Sequence, residues 1–435
     1  MDPDSVSLDR YVGICFDGDD YNDEAAAAVI IGKHKTAVSG AHWFQSLRES
    51  TIACLGSMKL DTILADPPGI STFRLRCPKS HEHAGRDAGS ALVACADKGL
   101  VVLYGGRYWG PGAFGRGCYL VYGAATSATN RCRLSTVPPI PQSAYLTGIG
   151  AGAVVLCRHY PSSLSSSYLL AELDMDPEHG LPDAELYLWC SDSATSQWVK
   201  KAVRLPPEVC REPGKHNFCA DASFSFGTSS MCWVDLLHGI VVCSNLVGQQ
   251  ADPQFRFIPL PEGCPTGGTV EEARSLTAHA RTSSALLAAL AASSSSSPLW
   301  ASSNGGWQSD QFRLATWTLS PDLNEWKKGD VFHLQDLWAS EQYLALKLPR
   351  HTPIFPALSA SRDDVVYAIV NDLEKHNIVQ GSEVVVKGQY VLELDMQRNR
   401  IISTSCGHPA SAMQMMTLQV LATDITAYQN GAKDG

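Results

Sequence analysis

Leu188–Lys201 reads LWCSDSATSQWVKK and Thr316–Gly329 reads TWTLSPDLNEWKKG. In each, two tryptophans stand nine residues apart: Trp189 and Trp198, then Trp317 and Trp326. A polar, turn-forming stretch separates them, and lysines follow closely. Apolar residues, a polar turn and a Trp opening the next segment form the pattern of a β-hairpin. Its recurrence points to a repeated sheet unit of the kind found in β-propeller blades. A second echo is Glu-Leu-Asp-Met, at Glu172–Met175 and again at Glu393–Met396.

Working outward, strand-like segments recur between Pro, Gly and Asp. In Ser71–Cys77, Phe73 and Leu75 alternate with Arg74 and Arg76, so one face is apolar and the other wet. Ala91–Tyr104 reads as a hairpin turning at Asp97-Lys98-Gly99. Further strands are expected at Cys118–Tyr122, Ala153–Cys157, Tyr168–Leu173, Glu185–Cys190, Ala222–Phe226, Gly239–Cys243, Gln254–Ile258, Phe312–Leu319, Val365–Val370 and Tyr390–Leu394. Two segments depart from this pattern. Ala285–Ser297 is Ala- and Ser-rich low-complexity sequence, readable as a short helix or a flexible connection. Ser411–Tyr428 places Met413, Met416, Val420, Leu421, Ile425 and Tyr428 at helical spacing before Asn430-Gly431, which predicts a C-terminal helix.

Composition narrows the function classes. A chain of 435 residues with 45% hydrophobic and 18% charged residues can bury a sizeable core. Its net charge of -10 and its lysine runs no longer than pairs oppose nucleic-acid binding as the main role. The N-terminus is acidic and lacks an export signal, and no apolar stretch approaches the length of a membrane span, so neither secretion nor a membrane partner is expected. The 14 cysteines sit in apolar runs such as Leu92–Cys95, without a Cys-x-x-Cys pair. They read as reduced, buried thiols in a cytoplasmic or nuclear protein.

No motif announces chemistry. Gly110–Gly115 spells G-x-G-x-x-G, but Pro111 lies inside it and a strand rather than a helix follows. The acidic cluster Asp17, Asp19, Asp20, Asp23 and Glu24 has Asn22 and Ala28 where a calcium loop needs Gly and Glu. His81-Glu82-His83 offers two imidazoles too close in sequence to converge readily on one metal. Trp189, Trp198, Trp317, Trp326 and Trp338 suit packing between sheets more than a ligand groove. No catalytic, cofactor-binding or metal-binding residue is assigned, no cofactor is expected, and the ligand-binding residues are unknown.

Leu64–Pro78, Cys118–Pro139 and Met231–Leu260 resemble a plant family expanded in grasses, domain of unknown function 1618. Trp233-Val234-Asp235-Leu236, with Gly239-Ile240 and Ile258-Pro259-Leu260-Pro261, is the most specific part, and the likeness extends over most of 60–430. The family is similar in pattern to the β-propeller domains that follow F-boxes, although this N-terminus has no F-box-like helical segment. Glu271–Trp300 departs from the pattern, which puts one strand pair in doubt. The resemblance implies no activity and no catalytic residues.

The expected fold is mainly β, a propeller of about six to eight blades with a C-terminal helix. The alternative is two packed antiparallel β-sandwiches. The expected organisation is an N-terminal segment over 1–60, partly an acidic loop, then a propeller-like body over 61–408 with a low-complexity insertion at 271–300, then a C-terminal helix and tail over 409–435. The expected function is a platform binding an unknown protein partner or a ligand, not an enzyme. A propeller-type hydrolase or lyase is one alternative, and a diverged duplicate with little function is another.

Overall fold

The computed structural model describes residues 6–16, 49–83, 91–105, 118–123, 133–140, 152–158, 167–175, 181–210, 218–246, 252–262, 286–292, 312–378, 381–407 and 420–423, a few positions within these aside. The protein is mainly β, built from several antiparallel sheets. Strands β1 (Val6–Asp9), β2 (Tyr11–Phe16), β3 (Lys59–Ile63) and β4 (Ile70–Cys77) lead into β5 (Ala91–Asp97), β6 (Leu100–Gly105), β7 (Cys118–Gly123) and β8 (Arg133–Val137). A second sheet holds β9 (Ala153–Arg158), β10 (Ser167–Asp174), β11 (Asp183–Cys190) and β12 (Val199–Arg204). A third holds β13 (Ala222–Phe226), β14 (Ser230–Asp235), β15 (Gly239–Ser244) and β16 (Gln254–Pro259). A fourth has β17 (Leu286–Ala292), β18 (Phe312–Leu319) and β19 (Trp326–His333), and a fifth β20 (Ile354–Leu358), β21 (Val365–Ile378), β22 (Gly381–Asp395) and β23 (Arg400–Gly407). Strand β24 (Val420–Thr423) returns to the first group, which orders as β24-β1-β4-β2-β5-β6-β7-β8 with β3 beside β4. Among the described strands, parallel pairing is confined to β1 and β2, each against β4. No helix among the described residues is long and apolar enough to cross a membrane.

Most sheets bury both faces, because their central strands are apolar at successive positions rather than at alternate ones. In β6, Val101 and Leu103 pack with Phe73 and Leu75 on one side, while Val102 and Tyr104 pack with Val155 and Leu170 on the other. The series continues. Val154 and Leu156 meet Trp233 and Val241, Val234 and Ile240 meet Leu319, and Leu314 and Phe332 meet Val366 and Leu392. Ile369 and Val391 then meet Ile70, back on β4. Strands β5, β9 and β13, from three successive sheets, lie side by side, as do β17 with β20 and β20 with β24.

Both Trp–turn–Trp segments span antiparallel hairpins, β11–β12 and β18–β19. The second tryptophan of each is in an equivalent place. Trp198 Nε1 donates to the Pro138 carbonyl just beyond β8 (2.7 Å), and Trp326 Nε1 donates to the Pro259 carbonyl ending β16 (2.9 Å). Each indole thus ties its own sheet to the last strand of the sheet before. The first tryptophans are not equivalent. Leu188↔Val199 is the final ladder pair of one hairpin and Leu319↔Trp326 that of the other. Trp317 stands opposite Lys328, the place that Tyr187 holds opposite Lys200. A shorter turn and an earlier Trp produce the same spacing. In both hairpins the lysine lies over the aromatic ring facing it, at 5.9 Å. The lysines are on edge strands, where a charged row discourages pairing with foreign strands.

Three expectations change. The Glu-Leu-Asp-Met echo is not a structural repeat: Glu172–Asp174 closes the second strand of its sheet, whereas Glu393–Asp395 closes the third. The low-complexity stretch contains strand β17, paired from Leu286↔Thr318 to Ala292↔Phe312. Helix-favouring Ala and Leu yield there to an open edge of β18, since tertiary pairing outweighs intrinsic propensity. The predicted C-terminal helix is corrected as well. Val420–Thr423 is a strand on β1, with Val6↔Thr423 and Asp9↔Val420. Adjacent Val420 and Leu421 fit a short strand as well as a helical stripe, and the edge of β1 supplies the hydrogen bonds. The remainder of 411–428 lies outside the described residues, as do Gly110–Gly115 and Asp17–Glu24. Strand pairing also runs across position 60, since β1 and β2 belong to the same sheet as β4.

Both indoles are half-buried. Trp198→Ala and Trp326→Ala are therefore expected to cost about 2–3 kcal/mol each, below the ~3–5 of a fully enclosed ring. Trp→Phe at either site should cost about 1 kcal/mol, isolating the N–H bond. Urea unfolding checks both values. Because neighbouring sheets share their cores, both substitutions should shift one common transition.

Candidate functional site

Polar side chains from three sheets form a hydrogen-bonded group where β7, β9, β10, β13 and β14 meet. Glu172 on β10 is 3% exposed, and its carboxylate accepts the Tyr119 hydroxyl from β7. Trp233 on β14, fully enclosed, donates its Nε1–H to the Gly152 carbonyl at 2.6 Å, and Ser223 Oγ donates to the Ala153 carbonyl at 2.6 Å. A side chain at Gly152 would begin 3.1 Å from Glu172 Oε1 and 3.3 Å from the Leu173 carbonyl, a tight fit against both. Burial first, and the neighbouring Glu172 charge second, push the Tyr119 phenol well above its usual range. Tyr119 is thus a neutral donor at any physiological pH. The network joins three sheets through bonds that are already made, which suits holding strands in place rather than proton transfer.

Trp233 opens the stretch singled out in the sequence, and the fold explains the rest of it. The Asp235 carbonyl accepts the His238 amide at 3.0 Å, closing the β14–β15 turn. The His238 ring lies between Phe218 (6.0 Å) and Phe257 (5.2 Å). At Gly239 an added Cβ would fall 2.4 Å from the Ile258 carbonyl, so β16 can lie against β15 only if that residue is glycine.

A second buried carboxylate, Asp395, closes the β22–β23 hairpin. It accepts the Arg398 amide (2.9 Å), Arg398 Nη1 (3.1 Å) and Arg400 Nε (3.4 Å). Burial alone would raise its pKa, but the bonds from Arg398 and Arg400 outweigh it and hold the carboxyl below its usual range.

Other residues weighed in the sequence make packing contacts or hydrogen bonds. His81 ends a short 3-10 turn, Lys79–His81, and its carbonyl faces both the Cys54 and Cys77 thiols. Those two sulfurs lie 3.5 Å apart, fully buried, and burial, aided by the Cys77 contact, pushes Cys54 up to about 12. All eleven described cysteines are free thiols. No group of three or more His, Cys, Asp or Glu side chains among the described residues could hold a metal. Trp189, Trp198, Trp317 and Trp326 build the contacts between sheets, and Trp338 packs against the core shared by the fourth and fifth sheets. Sequence reading missed Glu172, Tyr119 and Asp395 as partners, because nothing local to any of them marks the residue it meets.

Comparison with known families gives a match over part of the chain. Residues 233–367 match a family described as Protein of unknown function (DUF1618). The match begins at Trp233 and ends within β21, narrower than the likeness read from the sequence. No curated protein matches the chain.

Asp395 yields a pH prediction. Its folded pKa lies below the unfolded value, so its contribution is complete above the unfolded pKa of about 3.9 and is lost as pH falls through the folded pKa. Arg398→Ala combined with Arg400→Ala should lower stability at pH 7 and flatten its decline below about pH 4. Thermal melts from pH 2 to 7 measure both effects.

Proposed function

We propose that this is a plant protein whose sheets form a six-bladed β-propeller, intracellular, and that the loops at one end of the blades bind a protein or a ligand. The observation carrying this reading is the succession of shared cores. Each sheet buries one face on the sheet before and one on the sheet after, and the fifth meets β4 of the first group. Taking β24, β1, β4 and β3 as one blade and β5–β8 as the next gives six units with the four listed above. Pairing of β24 with β1 supplies the clasp by which strands from two ends of a chain complete one blade. Two independent sandwiches would leave one sheet face between them without a shared core, so the sequence of clusters favours the ring. The binding role follows from the fold class alone, since the buried carboxylates are already engaged in bonds between strands.

Two experiments test this. Removing Val420–Thr423 should lower the melting temperature by more than 5 °C and split unfolding into steps, whereas an unchanged single transition rules out the clasp. In-cell crosslinking with the full chain as bait should map one partner onto loops at a single end of the strands. Crosslinks scattered over the edge strands β8, β12 and β16, or turnover in ester and glycoside substrate screens, would replace the binding role with another.

A further inference from the structure

The β3–β4 hairpin is open at one end, and two thiols meet there. The last ladder pair at that end is Lys59↔Arg76, and Cys77 follows directly on β4. Cys54 comes from the short helix over 52–57 that leads into β3. The two sulfurs lie 3.5 Å apart. Their surroundings hold the contact in place. Leu55 and Met58 pack in one core with Phe73 and Leu75, and the Cys54 and Cys77 thiols both face the His81 carbonyl, at 3.7 Å and 3.6 Å. Cys232 and Cys243 form a contrast. They stand on adjacent strands, β14 and β15, but belong to cores on opposite faces of that sheet, so they cannot bond while it stays folded. Among the described strands β3 pairs with β4 alone, so it is an edge strand whose hold on the sheet is weakest at the open end of the hairpin.

We propose that Cys54 and Cys77 form a redox-responsive clamp, which hydrogen peroxide joins as a disulfide across the open end of the β3–β4 hairpin. The peroxide takes up the two electrons. One sulfur, as thiolate, attacks a peroxide oxygen and becomes a sulfenic acid as the O–O bond breaks and a water leaves. The second sulfur then attacks the first, an S–S bond forms, and the sulfenic oxygen departs as a second water. Two thiols and one peroxide thus become one disulfide and two waters. Contact between the sulfurs governs the second step, because a sulfenic acid beside a thiol condenses before it meets another peroxide. Burial governs the first. Both side chains are fully enclosed and Cys54 is pushed up to about 12, so the clamp closes only when a local opening admits oxidant, under sustained exposure rather than at rest. The bond would close a loop that contains all of β3 and hold that strand on β4.

The test treats the reduced full chain with graded hydrogen peroxide under native conditions. Remaining thiols are then alkylated in denaturant and the peptides mapped by mass spectrometry. Peptides carrying Cys54 and Cys77 should appear linked, two hydrogens lighter, and should separate again with dithiothreitol. Amide hydrogen exchange at Lys59–Ile63 should slow about tenfold in the linked form. Cys54→Ala and Cys77→Ala should each abolish both changes, and the wild-type map decides alone if either variant fails to fold. Exposed Cys406 reports that oxidant has reached the protein. The proposal is overturned if Cys54 and Cys77 stay alkylatable while Cys406 is oxidised, and remain so after equilibration with oxidised glutathione. Conversion of either one to sulfinic acid in place of the link overturns it too, as does a linked form in which β3 exchanges at the reduced rate.

Discussion

The governing constraint is that the sheets are apolar on both faces. A one-sided sheet is satisfied by a single neighbour. A sheet such as β5–β8, with Leu103 and Leu120 on one side and Val102 and Tyr119 on the other, needs a neighbour on each side. Every sheet added to cover an exposed face brings a new apolar face with it. In the fifth sheet, Ile369 and Val391 pack with Ile70 of β4. Edge strands β12 and β19 carry the lysines, because the edges are where water and charge remain.

Polar bonds between sheets supply what packing leaves open, namely register. Apolar faces slide against one another at small cost, but an indole N–H meeting one carbonyl does not. Trp198 to Pro138, Trp326 to Pro259 and Trp233 to Gly152 each connect one sheet to the next. The prolines suit the role. Without an amide hydrogen they end ladder pairing, and their own carbonyls stay available to the neighbouring sheet's tryptophan. Gly239 allows the close approach of β16 to β15. The conspicuous stretch from Trp233 to Ile258 is therefore a recipe for joining strands.

Much of this was legible in the sequence. Alternation at Phe73 and Leu75 and the apolar runs placed the inner strands, and the recurring Trp marked the hairpins. Edge strands such as β12 and β16 were harder, since exposed polar residues leave little period to read. The equal Trp spacing misled in one respect, because turn length and strand position compensated. Strands β17 and β24 were misread because helix propensity and helical spacing are local signals, whereas an open edge far along the chain decided the outcome. The buried network was illegible for the same reason: Tyr119 and Glu172 are brought together by sheet packing rather than by sequence proximity.

Pairing of β1 with β24 also has a consequence in time. On the ribosome β1 appears roughly 400 residues before its antiparallel partner. At about 5–20 residues per second, that strand waits on the order of 20 to 80 seconds with one edge unsatisfied. Its brevity, four residues ending in Asp9, limits what it can recruit in the interval. A nascent chain of this design carries one open strand edge while the sheets between β1 and β24 are made, an interval in which a chaperone would have the most to protect.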